Sequence, residues 1–223
     1  MRKDLLIQAL VKFFSGLLIL ALLLFPAAGT LRFWNAWLLL GILFIPMFLA
    51  GLAMLWRDPQ LLQKRLNAKE QEKEQKAVIA CSGLMFAAAF VAAGLNHRFQ
   101  WLTLPRWLVY GAAALFLAAY LLFAEVLREN AYLSRTVEVQ EGQKVVDTGL
   151  YGLIRHPMYA ATLILFLSMG LVLGSPLSFA ILLLYIPIIG KRMKNEEKVL
   201  EDGLPGYREY RKRVKYKVIP FIW

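Results

Sequence analysis

The sequence predicts an all-α protein: a polytopic transmembrane bundle of about six membrane segments, the last two a short helical hairpin, with a cytoplasmic loop before the hairpin and a helix after it. Three observations carry this reading. Of 223 residues, 59% are hydrophobic and only 18% charged, and the mean hydropathy is +0.54, a balance foreign to a soluble domain of this length. The apolar residues gather into windows of bilayer length. The cations lie between and after those windows.

Four windows, residues 5–28, 33–56, 77–96 and 105–127, are each long enough to cross a hydrocarbon core of about 30 Å as a helix. The first lacks a small-x-small cleavage pattern followed by a polar region, so it is expected to remain as a span. Two shorter runs follow, 158–173 and 177–190, separated by Gly174, Ser175 and Pro176, whose turn chemistry breaks the helical pattern. They read as a tight membrane hairpin, with a single re-entrant pair as the alternative. Trp34, Trp37, Trp56, Trp101 and Trp107 fall near window ends, where interfacial aromatic belts sit.

With a cytoplasmic N-terminus and six spans, 23 of the 26 Lys and Arg residues lie inside, leaving only Arg32, Arg98 and Arg106 outside. The reverse orientation would translocate nearly every cation, so the positive-inside rule puts both termini in the cytoplasm. The net charge of +11 is expected to meet anionic lipid headgroups and not nucleic acid, because the cations flank apolar runs and do not line a soluble face. Segment 58–76 mixes charges of both signs, with Glu72 and Lys76 at i,i+4 spacing, and reads as a solvated helical connector. Cys81, the lone cysteine, supplies neither a disulfide nor a Cys-based metal site. His97 and His156 are placed on opposite sides of the membrane, so no His-built metal site is expected. With no Gly-x-Gly-x-x-Gly and no P-loop, a soluble Rossmann-type nucleotide domain is not encoded.

The chain divides into a four-span region, 1–127, and a region 128–223 where polar chemistry concentrates. Glu125, near the cytoplasmic end of the fourth span, is an acid in apolar surroundings and therefore a site candidate; reaching the interface beside Arg128 and Glu129 is the alternative. The loop 128–155 alternates over 136–140 as extended backbone does, is punctuated by Gly142 and Gly149, and is expected to fold over the cytoplasmic mouth. At Arg155-His156-Pro157-Met158-Tyr159, proline suits the first helical position. Free N–H groups and a positive dipole end there offer a place for a carboxylate or phosphate, to which Arg155 and His156 add donors; interfacial anchoring is the other reading. On the exit helix, Arg192 and Glu196 sit one turn apart, set to bind a zwitterion or to form an ordinary i,i+4 salt bridge.

These pieces combine into a recognisable set. The run Gly149-Leu-Tyr-Gly-Leu-Ile-Arg-His-Pro-Met-Tyr159, the apolar hairpin, Arg192-x-x-x-Glu196-Glu197, and Tyr207-x-x-Tyr210 followed by Ile219-Pro220 resemble the isoprenylcysteine carboxyl methyltransferase family, which groups with the membrane phospholipid N-methyltransferases. The resemblance covers residues 130–223; the first four spans match only in hydropathy. It departs at Leu150, where a Pro or small turn residue is common, at Ala161, where Gly is frequent, and at Lys215 and Lys217, in a region often rich in Arg.

The resemblance implies S-adenosylmethionine as cofactor, held by the loop, the start of the fifth span and the exit helix. Carried over by position, Gln140, Gln143, Lys144, Val145, Val146, Tyr151, His156, Pro157, Tyr159 and Glu196 are the expected cofactor-binding residues, and Arg192 stands beside the acceptor group. Tyr151 and Tyr159 suit the walls around a sulfonium methyl. The implied reaction is methyl transfer to a lipid-like acceptor of the isoprenylcysteine carboxylate type, whose acyl or prenyl tail enters from the bilayer. An amine acceptor would need a base, for which Glu125 or Glu197 is available, so the catalytic candidates are Arg192, Glu197 and Glu125. A sterol-reductase-like membrane enzyme using a reduced nicotinamide cofactor is the rival; it would need more phosphate-binding cations in the loop than Arg135 and Lys144 offer. A transporter is disfavoured, because the spans are almost free of charge and the polar residues gather on one side.

Overall fold

A backbone amide in lipid must find its partner within its own segment, so each apolar window becomes a helix. The computed structural model describes residues 2–66, 73–133 and 137–223. Its helices are α1 (Arg2–Ala28), α2 (Trp34–Arg57), α3 (Pro59–Leu66), α4 (Lys73–Phe99), α5 (Arg106–Glu129), α6 (Pro157–Val172), α7 (Pro176–Leu182), α8 (Tyr185–Gly203) and α9 (Tyr207–Arg213). No strand occurs among the described residues. Five stretches are long and apolar enough to cross a membrane: Lys3–Ala28, Trp34–Arg57, Gln75–Phe99, Arg106–Glu129 and Pro176–Gly203. With the shorter apolar α6 they make the expected six segments of an integral membrane protein.

The hairpin turns where expected. Pro176 opens α7 and the Ser175 hydroxyl oxygen caps it, accepting from the Ser178 amide at 3.1 Å. A Cβ on Gly170 would lie 2.5 Å from the Phe179 backbone nitrogen, so α6 and α7 meet backbone to backbone. The second arm, however, is not short. It breaks after Leu182 and then runs as α8 without interruption through Lys191 to Gly203. Gly190 packs near the Trp223 ring, and no residue beyond it breaks the helix before Gly203. The exit helix is therefore the same rod as the membrane arm, which fixes Arg192 and Glu196 against the bundle.

Packing follows the usual logic of membrane helices. Leu24, Leu39, Ala89, Phe116, Val172, Leu182 and Met193 belong to one buried cluster that draws on every long helix. Ile7, Val11, Leu22, Leu84 and Leu121 point outward, as lipid-facing residues do. Polar groups in the spans are spent on nearby carbonyls: Asn35 donates to Val172 O at 2.8 Å and Tyr120 to Leu43 O at 2.7 Å. One end of the bundle is marked by the Phe33–His97 stack, 4.2 Å between centroids. The other end carries α3, where Arg65 lies over Phe123 at 5.2 Å. The connector is helical over Pro59–Leu66, whereas Lys69, Glu70 and Glu72 lie outside the described residues. Of the segment expected to be extended, 137–140 is neither helix nor strand, and Arg135 and Thr136 lie outside the described residues.

Candidate functional site

The loop after α5 is tied down at both ends. The Glu129 carboxylate accepts from the Leu150 amide at 2.9 Å and so anchors the 3₁₀ turn Gly149–Gly152. Gly149 has φ +53°, and a Cβ there would lie 1.8 Å from Glu129 Oε1, so only glycine fits. Asn130 donates to the Tyr151 hydroxyl at 3.0 Å. Gln140 holds the loop to itself: its side chain donates to Tyr132 O at 2.6 Å, and its amide donates to Gln143 Oε1 at 2.8 Å.

Next comes the start of α6, where the sequence suggested an anion site. The anion found there is the chain's own. Glu197, 4% exposed, takes Arg155 Nε on Oε1 at 2.8 Å with His156 Nε2 at 3.2 Å, and Lys217 Nζ lies 3.1 Å from Oε2. Arg155 Nη1 also donates to Val214 O and Lys215 O, both at 2.7 Å. The amides of Arg155 and His156 donate to Tyr216 O and Lys217 O, and that of Tyr159 to His156 O. Pro157 has no amide, so little of the expected open donor array is left for a ligand. Glu197 is thus a brace that stitches α8 to the start of α6 and to the C-terminal segment. An enclosed carboxylate with these partners is a poor base.

Glu196, one residue earlier, faces a different space. It accepts a hydrogen bond from the Tyr159 hydroxyl, whose oxygen in turn accepts from Arg192 Nε at 3.0 Å. Gln75 of α4, fully buried, completes the cluster: Arg192 Nη1 reaches Gln75 Oε1, and Gln75 Nε2 reaches Arg192 O, each at 3.4 Å. Arg192 and Glu196 do share a face as expected, joined through a tyrosine from another helix.

This cluster forms one side of an open cavity of about 850 Å³, its mouth included, between the loop, the start of α6, α8 and α9. Gln143, Lys144, Val145, Val146, Tyr151, His156, Tyr159, Arg192 and Glu196 all line it. Gln140, Pro157 and Glu197 are not in the lining and act from behind it. Glu125 is not in the lining either: it is paired with Arg128 at 2.8 Å on the exposed end of α5, as the interfacial alternative expects. Reading the residues in order overlooked Gln75 and Asn130, which pattern as connector and loop polar residues and gain meaning only from what folds against them. Tyr207 carried no assigned role although its motif was noted.

The lining suits a nucleoside-type zwitterion. Glu196, Arg192 and the Tyr159 hydroxyl converge in one hydrogen-bonded group, while Val145, Leu200, Leu204, Tyr207 and Tyr210 pack together in another part of the lining. The Tyr207 hydroxyl within it is buried and has no protein partner, a polar atom that a ligand would complete. Burial pushes the phenols of Tyr151, Tyr207 and Tyr210 upward, so all three stay neutral.

Fold and site together define a polytopic helical membrane protein with an open cavity where a membrane hairpin meets the loop before it. Residues 109–202 match the model of the isoprenylcysteine carboxyl methyltransferase family. The fold is similar to that of the eukaryotic intramembrane Ras methyltransferase, an isoprenylcysteine carboxyl methyltransferase, with a TM-score of 0.57 and 20% identity over 96% of this chain and 77% of that one. The structural likeness shows a shared helical membrane fold over nearly the whole chain, and the family match covers its residues 109–202. A segment of 91 residues is also 30% identical to the Delta(14)-sterol reductase of Mus musculus, covering 40% of this chain and 22% of that protein. The chain thus spans about a fifth of the length of this curated relative.

Proposed function

We propose that this chain is an S-adenosylmethionine-dependent methyltransferase acting on a lipid-like acceptor of the isoprenylcysteine carboxylate type, with its active site and both termini on the cytoplasmic face. The observation that carries the proposal is the convergence of Tyr159, Arg192 and Glu196, from two helices, on one cavity roofed by the loop. Region 128–223 is the catalytic part, and the four preceding spans are a membrane scaffold that lends Gln75. Excess cation at that end of the sequence supports the orientation.

When bound, the cofactor supplies a methyl group to the acceptor oxygen. The protein's own residues do the positioning. Glu196 accepts from the ligand's ammonium or hydroxyl groups while Tyr159 keeps its carboxylate aimed inward. Arg192, held by Tyr159 and Gln75, presents its guanidinium to the acceptor carboxylate. Tyr151 and Tyr159, both buried, keep water away from the reacting centre. A carboxylate acceptor has no proton to lose. Glu197 is enclosed by the Arg155 guanidinium, the Lys217 ammonium and the His156 imidazole, Glu125 is paired at the surface, and Glu196 already accepts from the Tyr159 hydroxyl. The acceptor's tail would lie in the bilayer between helices.

The reductase relative keeps one rival in view, since Lys144 lines the cavity. Thermal shift of detergent-purified protein separates the two. S-adenosylhomocysteine at 100 times its Kd is expected to stabilise by about 2.7 kcal/mol, and NADPH not at all; stabilisation by NADPH alone would overturn the proposal. Labelled methyl transfer onto a prenylcysteine, with none onto phosphatidylethanolamine, then tests the acceptor class.

A further inference from the structure

Two tyrosines of α9 face the cavity three residues apart, and only one of them is spent on the protein. The Tyr210 hydroxyl donates to Tyr151 O at 2.8 Å. Tyr207 is 4% exposed, and its hydroxyl is sealed from solvent with no partner. A buried hydroxyl without an acceptor is unfavourable for the ligand-free fold, and phenylalanine would fill the same volume without that cost. Both residues line the cavity, so the unpartnered hydroxyl belongs to a side chain of its wall.

The two sides of the cavity differ in kind. Glu196, Arg192 and Tyr159 make one side polar and charged. The other is a small apolar cluster separate from the main core, in which Leu204, Tyr207, Tyr210 and Val214 pack with Val145 and Leu200. An amino-acid zwitterion belongs with the charges. A flat heteroaromatic ring belongs between aliphatic and aromatic walls, and its edge needs one well-placed donor. The neutral Tyr207 phenol is the side chain in that half with a hydroxyl left to give.

We infer that the Tyr207 hydroxyl is a ligand-binding group that donates a hydrogen bond to the adenosine end of the bound S-adenosyl ligand. This rests on the cofactor reading above and extends it to a residue and to an orientation of the ligand: adenosine toward α9, amino acid toward Glu196 and Arg192.

Tyr207→Phe and Tyr210→Phe are compared in the full chain in detergent, with melting temperature read without ligand. Affinity is measured for S-adenosylhomocysteine and for 5′-methylthioadenosine, which keeps the nucleoside but lacks the amino acid. Tyr207→Phe is expected to melt at or above the wild-type temperature and to bind both ligands about five- to tenfold more weakly. Tyr210→Phe is expected to melt lower, because it loses a bond within the protein. A fall in ligand-free melting for Tyr207→Phe, as large as that for Tyr210→Phe, overturns the assignment, since the hydroxyl would then serve the fold. Unchanged affinity for both ligands overturns it as well. Weakening for S-adenosylhomocysteine alone places the hydroxyl at the amino-acid end and overturns the orientation. Wild-type protein that binds neither ligand overturns the cofactor reading itself, an outcome distinct from normal wild-type binding with an indifferent Tyr207→Phe.

Discussion

Two faces of α8 carry neighbouring glutamates to opposite ends. On one face, Glu197 is sealed between Arg155, His156 and Lys217 and holds three chain segments together. On the other, Glu196 lines an open cavity with Tyr159 and Arg192. A helix turns by about 100° per residue, so adjacent side chains leave it in different directions. The brace and the proposed ligand contact are thereby loaded onto separate carboxylates. The same sequence motif thus contains a structural acid and a site acid.

The strongest way to break this contrast is Glu197→Ala. It would leave a buried guanidinium, a buried imidazole and a half-buried ammonium facing each other, a loss of about 3–5 kcal/mol, read as a drop in melting temperature on the order of 10 °C. A variant that melts like wild type would show that the brace holds nothing. Glu196→Ala is the counterpart: ligand-free melting close to wild type, with S-adenosylhomocysteine affinity down about tenfold or more from loss of a charge-assisted hydrogen bond. If it unfolds as Glu197→Ala does, the two faces are not distinct. For Arg192→Ala, turnover is expected to fall further than cofactor affinity. Equal loss of both in a single set of kinetic and binding measurements would remove its acceptor role. Lys217→Met is the mildest, about 1 kcal/mol or less in melting experiments, because its ammonium is partly exposed and Glu197 keeps two other partners.

Much of the fold was legible in the sequence because it rests on local quantities. Hydropathy over some twenty residues decides whether a segment crosses a bilayer, and Gly174-Ser175-Pro176 stops a helix wherever it is placed. The end of the hairpin's second arm was less legible. Gly190 next to a charged run reads as a boundary, yet α8 passes through it because helix continuity costs little at one glycine. Within the site, the motif residues Tyr159, Arg192 and Glu196 were visible as chemistry. Whether His156 and Arg155 wait for an outside anion or hold an inside one was not, since their partner is more than forty positions away.

By itself, then, the sequence determined the membrane class, the number of segments, the hairpin turn and the set of residues worth watching. Those depend on composition and on periodicities a few residues long. Only the tertiary structure decided which glutamate braces and which faces the cavity, that Glu125 stands apart with Arg128, that Gln75 joins Arg192 from a distant helix, and that Tyr207 keeps a hydroxyl unspent. Except for the local Glu125–Arg128 pair, these turn on how segments far apart in the chain meet. A side chain's partner there is set by how helices rotate about their own axes when they pack, and nothing in a local pattern records that angle.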